Sequence, residues 1–383
     1  MIAKRLRPFG TTIFTEMSAL AASTGALNLG QGFPDTDGPG EIVEAVSAAM
    51  RSGANQYAPL GGVPELRAAI AEHQRRRYGL EVDAQDGVQV TFGATEAIAA
   101  AMLGLLEPGD AVVVLEPFYD SYAAAVAMAG GERRLVMMRP PGFAVDVDAL
   151  ERAARGARML LLNSPHNPTG RVLSRSELES IARVCVEHDL IAVTDEVYEH
   201  LVFDGEHIPL ATLPGMFERT LTISSAGKSF SFTGWKIGWC SGPPRLVGAV
   251  RAAKQFLSFA GGTPFQHAVA AALTDAERHV APLREALRGG RDALCAGLRA
   301  AGFGVIVPQG GYFVQADVAP LGICDAGDWC RALPSRAGVV AIPTSAFYDD
   351  AEAGRTLVRL AFCKRPPVID EAVARLSALV ASG

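Results

Sequence analysis

The middle of this 383-residue chain alternates short, nearly continuous apolar runs with stretches of helix-forming residues. The runs are rich in β-branched and large aliphatic side chains, and they lie at 88–92, 111–115, 159–162, 190–194 and 221–223. Strands that are apolar on both faces are typical of a parallel sheet covered by helices on both sides. The alternation therefore predicts an α/β fold with a three-layer αβα core and a mostly parallel sheet over roughly residues 50–275.

The rest of the chain predicts a second, smaller lobe, because 383 residues exceed what one hydrophobic core usually serves. An Arg- and Ala-rich stretch at 277–301 indicates a long helix, and β-type runs follow it at 305–307, 312–314 and 339–342. We predict three parts: an N-terminal arm and small-domain segment over 1–49, a large domain over 50–278, and a small α+β C-terminal domain over 279–383.

Charge and cysteine usage narrow the class of protein. With 35 Lys and Arg against 41 Asp and Glu, the formal net charge is −6, whereas nucleic-acid binders usually carry a basic surplus. No apolar run approaches the roughly 20 residues that a bilayer requires. The six cysteines are scattered without a CxxC pair, and the seven histidines show no zinc-type spacing. We expect a cytoplasmic protein with no nucleic-acid partner, no membrane partner and no metal.

Three common motifs of nucleotide-binding proteins and hydrolases are absent from the sequence. No GxGxxG and no GxSxG occurs, which argues against a nicotinamide dehydrogenase and an α/β-hydrolase. The segment 227–229 imitates the end of a phosphate-binding P-loop, but Thr222 stands where that motif requires glycine.

Polar residues cluster directly after the predicted strands, at 93–95, 118–119, 163–170, 195–198 and 224–228. Each segment alone has an ordinary explanation: an NPTG turn, an aspartate that caps a helix, a solvated loop lysine. Because ligands of open parallel sheets bind at the carboxyl ends of the strands, we expect these segments to form one site.

Taken in order, these motifs resemble the fold-type-I pyridoxal-phosphate (PLP) enzymes of aminotransferase class I/II, over nearly the whole chain. The resemblance implies PLP as cofactor, bound in the large domain. Lys228 would form the covalent imine link and then move a proton between the substrate α-carbon and the cofactor. Asp195 would keep the ring nitrogen protonated, and Asn167 and Tyr198 would hydrogen-bond the ring 3-oxygen.

The resemblance also implies a phosphate site, a stacking residue and a second subunit. Helix-opening backbone, a hydroxyl and a cation would bind the phosphate; these are Gly93, Ala94, Thr95, Ser225 and Lys236. Tyr119 would stack on the pyridine ring. Tyr57 matches a tyrosine that reaches the phosphate of the neighbouring subunit, which implies a homodimer.

The resemblance implies that Arg359 recognises the substrate. Its guanidinium would bind the α-carboxylate in a bidentate pair. Gly32 would lie in a loop that closes over the substrate, Asn167 would also contact it, and Phe14 and Phe347 would line the pocket.

Within the class, segments 29–35, 116–122, 164–170 and 233–239 resemble a branch of three activities. These are kynurenine/glutamine aminotransferases, cysteine-S-conjugate β-lyases and actinobacterial N-succinyldiaminopimelate aminotransferases. Gly261 and Gly262 replace bulkier pocket residues of kynurenine-using members, which favours a longer, carboxylate-bearing donor. We therefore expect transfer from N-succinyl-LL-2,6-diaminopimelate to 2-oxoglutarate in lysine biosynthesis. A kynurenine/glutamine-type aminotransferase, a β-lyase and a non-catalytic PLP-fold domain remain alternatives.

Overall fold

The computed structural model describes residues 2–382, so Met1 and Gly383, the outer ends of the predicted first and third parts, lie outside the described residues. The strands are β1 Leu27–Asn28, β2 Val88–Phe92, β3 Ala111–Glu116, β4 Glu132–Met137, β5 Met159–Asn163, β6 Ile191–Asp195, β7 Thr220–Ser225, β8 Ile237–Ser241, β9 Gly304–Ile306, β10 Phe313–Asp317, β11 Val339–Val340, β12 Ile342–Pro343 and β13 Leu357–Ala361.

The helices surround these strands and connect them. They are α1 Ile13–Thr24, α2 Gly40–Arg51, α3 Pro64–Tyr78, α4 Gly93–Leu105, α5 Ser121–Met128, α6 Val147–Ala154, α7 Arg175–Glu187, α8 Ala226–Ser229, α9 Pro244–Leu257, α10 Thr263–Thr274, α11 Ala276–Ala300, α12 Ala326–Ala337 and α13 Pro366–Ala381. Within residues 2–382, no helix has both the length and the apolar character that crossing a bilayer requires.

The large sheet has seven strands in the order β2-β8-β7-β6-β5-β3-β4. Neighbouring strands from β7 to β4 run parallel, and β8 runs antiparallel to both β2 and β7. In the register of β5 and β6, Asn163 pairs with Asp195, so two polar side chains end neighbouring strands at one edge. That edge is where the site forms.

Alternate residues of the central strands pack into different cores, which makes the sheet the middle of three layers. Val112 and Val114 of β3 belong to a cluster with α4, α5 and α9. Val113 and Leu115 belong to a cluster with α6 and α7 on the opposite face. Burial of both faces explains why these strands are continuous apolar runs. The predicted α/β class with a mostly parallel sheet is confirmed.

A second region is built on smaller sheets. β10 pairs antiparallel with β13 and β9, and β12 pairs antiparallel with β13. β1 pairs parallel with β11, which joins the N-terminal segment to this region. The core here comes from α1, α11, α12 and α13 together with these strands.

Several elements differ from the sequence prediction. The run at 339–342 is divided between β11 and β12, which lie in different sheets. β1, β4, β8 and β13 were not predicted as strands. β4 lies at one edge of its sheet. Its charged residues, Glu132, Arg133 and Arg134, do not fit the apolar pattern that is expected of a buried strand. The predicted boundaries at 49/50 and 278/279 fall inside α2 and α11, and the three-part division stays a prediction.

Candidate active site

The predicted site residues converge on one cavity of about 790 Å³ at the carboxyl ends of the parallel strands. Those that line it are Phe14, Gly32, Gly93, Ala94, Thr95, Tyr119, Asn167, Asp195, Tyr198, Ser225, Lys228, Lys236 and Arg359. Tyr57 lies outside this cavity; it is 81% exposed, and its ring centroid is 5.8 Å from that of Phe259. Phe347 does not line the cavity but packs edge-on against Phe14, 5.8 Å between centroids.

Asp195 is a buried carboxylate with few partners. It ends β6, accepts a hydrogen bond of 2.7 Å from the Tyr122 hydroxyl, and accepts a longer one of 3.3 Å from the Val197 amide. Burial raises the pKa of Asp195 to about 6, although the Tyr122 hydroxyl and the charge of Lys228 act in the opposite direction. A carboxylate of this kind has unused acceptor capacity for a cationic N–H donor.

Lys228 follows β7 in the short helix α8. Its Nζ donates a 3.3 Å hydrogen bond to the Gly32 carbonyl and lies 5.6 and 5.1 Å from the ring centroids of Tyr198 and Tyr312. Desolvation lowers the pKa of its amine to about 8. The backbone is fixed as well, because the Tyr312 hydroxyl donates to the Lys228 carbonyl at 3.2 Å. A lowered amine pKa favours the neutral, nucleophilic form.

One end of the cavity is suited to an anion. α4 begins at Gly93, whose φ of +69° suits glycine, and the amide groups of its first turn are free of intrahelical partners. A Cβ at Gly93 would lie 3.1 Å from Nζ of Lys236. Ser225 ends β7 beside them in the cavity wall. A helix N-terminus, a cation and a hydroxyl together can bind a phosphate dianion.

Arg359 lies at the centre of β13 and is only 1% exposed. It donates to the Asn167 side-chain oxygen at 3.0 Å and to the Gly30 carbonyl at 2.8 Å, and its buried Nε has no hydrogen-bond partner within residues 2–382. Phenyl rings enclose the guanidinium: Phe14, Phe313 and Phe347 have centroids at 5.1, 3.8 and 4.7 Å. Burial lowers its pKa to about 10, so it stays cationic at neutral pH. It can bind a carboxylate in a largely dry setting.

Known proteins share this architecture. The family model "Aminotransferase class I and II" matches residues 24–376. The chain belongs to the class I and II aminotransferases. A Mycobacterium tuberculosis protein (strain H37Rv) named "Probable N-succinyldiaminopimelate aminotransferase DapC" is 54% identical over 391 residues, covering 99% of this chain and 98% of the relative.

Two further comparisons agree with the family. A solved structure of N-succinyldiaminopimelate aminotransferase from Mycobacterium tuberculosis superposes with a TM-score of 0.97 at 55% identity, covering 99% of this chain and 100% of the other. The methionine aminotransferase of Escherichia coli K12 is 38% identical, covering 98% of this chain and 97% of the relative. The predicted enzyme class is confirmed.

Aminotransferases of this class depend on PLP, and the residues of this chain fit that cofactor. The cavity has an anion site at Gly93 and Lys236, a buried carboxylate at Asp195 with spare acceptor capacity, and a lysine with a lowered pKa at position 228. These are the groups that a phosphate, a ring N–H and an aldehyde carbon require. The predicted cofactor is confirmed.

Sequence reasoning missed three residues of this aminotransferase site. Tyr122 donates to Asp195, Asn163 accepts from the Asn167 amide at 2.7 Å, and Tyr312 holds the Lys228 backbone. Asn163 follows the predicted strand 159–162 and lies in the polar segment 163–170, but no role was predicted for it. Nothing in the local sequence relates Tyr122 or Tyr312 to partners 73 and 84 residues away.

The two glycines that suggested a roomy pocket have a different explanation in this chain. Gly261 and Gly262 do not line the cavity. A Cβ at Gly261 would lie 2.0 Å from the ring of Phe92, and Gly262 caps α10 with φ of +64°. Backbone conformation and packing therefore require both glycines. Within one subunit, they give no support for a long, carboxylate-bearing amino donor.

Proposed function

We propose that this aminotransferase transfers the α-amino group of N-succinyl-LL-2,6-diaminopimelate to 2-oxoglutarate, as a step of lysine biosynthesis. One observation carries the proposal: 54% identity over 99% of the chain to a protein named for that substrate. The methionine aminotransferase, at 38%, supports the reaction type with a different donor. The higher sequence identity, 54% against 38%, favours N-succinyl-LL-2,6-diaminopimelate over methionine as the amino donor.

The chemistry is assigned to four residues. PLP, when bound, supplies an electron sink for the pair left on the substrate α-carbon. Lys228 would form the covalent link to the cofactor and, once released, would move a proton between the substrate α-carbon and the cofactor. Asp195 holds the proton on the ring nitrogen. Asn167 and Tyr198 hydrogen-bond the ring oxygen.

The remaining predicted residues orient the cofactor. The first turn of α4 (Gly93, Ala94 and Thr95), the Ser225 hydroxyl and the Lys236 cation bind the phosphate, and Tyr119 stacks on the ring. The free amides and the close approach of Lys236 to Gly93 support this assignment.

Substrate recognition is assigned to Arg359. Its buried Nε has no partner within residues 2–382, so the guanidinium keeps donor capacity for a bidentate pair with the α-carboxylate. The three phenyl rings exclude water and strengthen that pair. Gly32, whose carbonyl accepts from Lys228, and Phe14 form the wall beside the bound substrate.

The enzyme acts as a homodimer in which Tyr57 reaches the phosphate of a second copy. Exposed aromatic side chains on this surface support the assignment: Tyr57 is 81% exposed, Phe256 85% and Phe259 44%. Apolar side chains this exposed are typical of an interface. A cytoplasmic location is supported by the six cysteines, all unpaired.

A donor screen tests the proposal. The holoenzyme is given 2-oxoglutarate with N-succinyldiaminopimelate, methionine, glutamine or kynurenine, and glutamate is measured. We expect the highest kcat/KM for the succinylated donor. A higher kcat/KM for kynurenine or glutamine would support the kynurenine/glutamine-type aminotransferase instead. The human kynurenine–oxoglutarate transaminase 1, which is 36% identical to this chain, favours that alternative.

A separate arm tests the β-lyase alternative. A cysteine S-conjugate is supplied, and pyruvate is measured against glutamate. Pyruvate formation that exceeds amino-group transfer would contradict the proposal, because the enzyme would then act mainly by elimination.

A further inference from the structure

The segment Asp195–His200 separates two cavities. Asp195 and Tyr198 line the catalytic cavity, whereas Glu199 and His200 line a second cavity of about 600 Å³. The proposed transamination uses no residue of the second cavity. Its buried side chains therefore call for a separate explanation.

His73, Glu199 and His200 form a buried cluster, of which Glu199 and His200 line the second cavity. One candidate ligand atom from each lies within 4.8 Å of the other two. Nε2 of His73 is 3.3 Å from a Glu199 carboxylate oxygen, and all three side chains are almost inaccessible. Two imidazoles and a carboxylate are a ligand set that zinc and related divalent ions use, with one position left open.

His200 has a nitrogen available for coordination. Its Nδ1 is 2.8 Å from the Ser229 hydroxyl, whereas its buried Nε2 has no hydrogen-bond partner anywhere in residues 2–382. If Nδ1 carries the proton and donates to that hydroxyl, Nε2 presents a lone pair. A histidine fixed in this way by its second nitrogen is the usual arrangement of a metal ligand.

Glu199 is also held in place. One carboxylate oxygen accepts from the Tyr78 hydroxyl at 2.7 Å, and the other accepts from the Ser224 hydroxyl. Arg77 and Arg284, which line the same cavity, both pair with Glu277, so neither forms an ion pair with Glu199. Such outer hydrogen bonds orient metal-ligating carboxylates.

We propose that His73, Glu199 and His200 bind one divalent transition-metal ion of the Zn²⁺ class, with its open position toward the second cavity. Coordination replaces the hydrogen bond between His73 and Glu199, with the imidazole proton of His73 moving from Nε2 to Nδ1, and it satisfies the free Nε2 of His200. Metal–ligand distances of about 2.0–2.2 Å require the three atoms, which now lie within 4.8 Å of one another, to draw together without a change of oxidation state. The site is linked to the catalytic centre, since Ser224 and Ser229 lie next to Ser225 and Lys228.

Metal uptake by the holoenzyme tests the proposal. The protein is dialysed against a chelator and titrated with Zn²⁺ by calorimetry, and with Co²⁺ by its visible spectrum. We expect one ion per chain and the intense bands of low-coordinate Co²⁺. His200→Asn and His73→Gln should each weaken binding at least tenfold, because each removes one ligand.

His188→Asn is the matched control, since it removes an imidazole at the C-terminal end of α7, outside the cluster. It should bind as the wild type does. Circular dichroism establishes that each variant is folded, and the two ligand variants are independent, so one suffices if the other fails to fold. Failure of the wild type to take up an ion, or equal uptake by both ligand variants, would overturn the proposal while leaving the transaminase assignment intact.

Discussion

Two buried carboxylates four residues apart, Asp195 and Glu199, face opposite cavities and differ in how well their neighbours satisfy them. Glu199 accepts from Tyr78 and Ser224 and pairs with His73. Within residues 2–382, Asp195 accepts only from Tyr122 and, weakly, from the Val197 amide. Burial is similar, at 5% and 2% exposed. The difference indicates that Asp195 is arranged to bind a ligand, whereas Glu199 also connects its own loop to α3 and β7.

The largest effect is expected at the lysine that faces Asp195 in the catalytic cavity. Lys228→Ala should lower kcat about 10⁴-fold or more, because nucleophile and proton carrier are lost together. The variant should also lose the borohydride-reducible link to the cofactor, measured by mass spectrometry of the reduced protein. Lys4→Ala, at an exposed position, is the control. A reducible link that persists in Lys228→Ala would move the nucleophile to another residue.

The comparison of the two carboxylates is tested directly by replacing each with its amide. Asp195→Asn should lower kcat by about 10²–10³-fold, since an amide does not hold a proton on the ring nitrogen. Glu199→Gln should keep far more of its kcat but lose about 1–3 kcal/mol of unfolding free energy, because an amide cannot accept from all its present donors. Equal losses of kcat in the two variants would contradict the assignment of a catalytic role to Asp195 and a mainly structural role to Glu199.

The stability of Asp195→Asn has a predictable sign. The pKa of Asp195 is raised by burial to about 6, above the value of about 3.9 in an unfolded chain. Its charge therefore costs the cofactor-free protein stability above pH 6, and the cost disappears as the pH falls toward 4. We expect denaturant titration to find the variant on the order of 2 kcal/mol more stable at pH 8, with the gap closing by pH 4. A gap that widens in acid would contradict the assignment.

The sequence predicted the catalytic cavity much better than the second one, for a physical reason. Asp195, Lys228 and Gly93 follow strands, and the carboxyl ends of parallel strands meet at one edge. His73 and Glu199 come from α3 and a loop 126 residues apart, so no spacing rule joins them. The prediction of no metal rested on local spacing alone and stays a prediction. A cluster assembled by tertiary packing cannot be found in that way.

Arg359 and the two glycines mark the other limits of sequence reasoning. Arg359 was identified by family resemblance, although the strand that carries it, β13, was not predicted. Gly261 and Gly262 were interpreted as pocket space, whereas Phe92 and the start of α10 explain them. Side-chain packing between distant segments determines both the position of β13 and the role of the two glycines. Such packing cannot be deduced from a single sequence.

A fourth prediction concerns the cation of the catalytic cavity. Arg359→Lys should raise KM for every α-amino donor by about 10–100-fold with a smaller change in kcat, because an ammonium cannot form the bidentate pair. Steady-state kinetics with two donors of different side chains measure it. Arg355→Lys, on an exposed side chain near the start of the same strand, is the matched control. A change in KM for one donor only would assign Arg359 to side-chain recognition instead.

The smallest effect is expected at the hydrogen bond that distinguishes Asp195 from a fully unsatisfied carboxylate. Tyr122→Phe removes a donor that lowers the pKa of Asp195, so that pKa should rise. Protonated Asp195 then persists to higher pH, and the acid limb of the kcat profile should move upward, with kcat at pH 8 reduced less than about tenfold. Tyr119→Phe, which leaves the Tyr122–Asp195 hydrogen bond intact, should leave the acid limb in place. An acid limb that stays fixed in Tyr122→Phe would show that Tyr122 only packs against Asp195, and the reactivity of this carboxylate would then depend on burial alone.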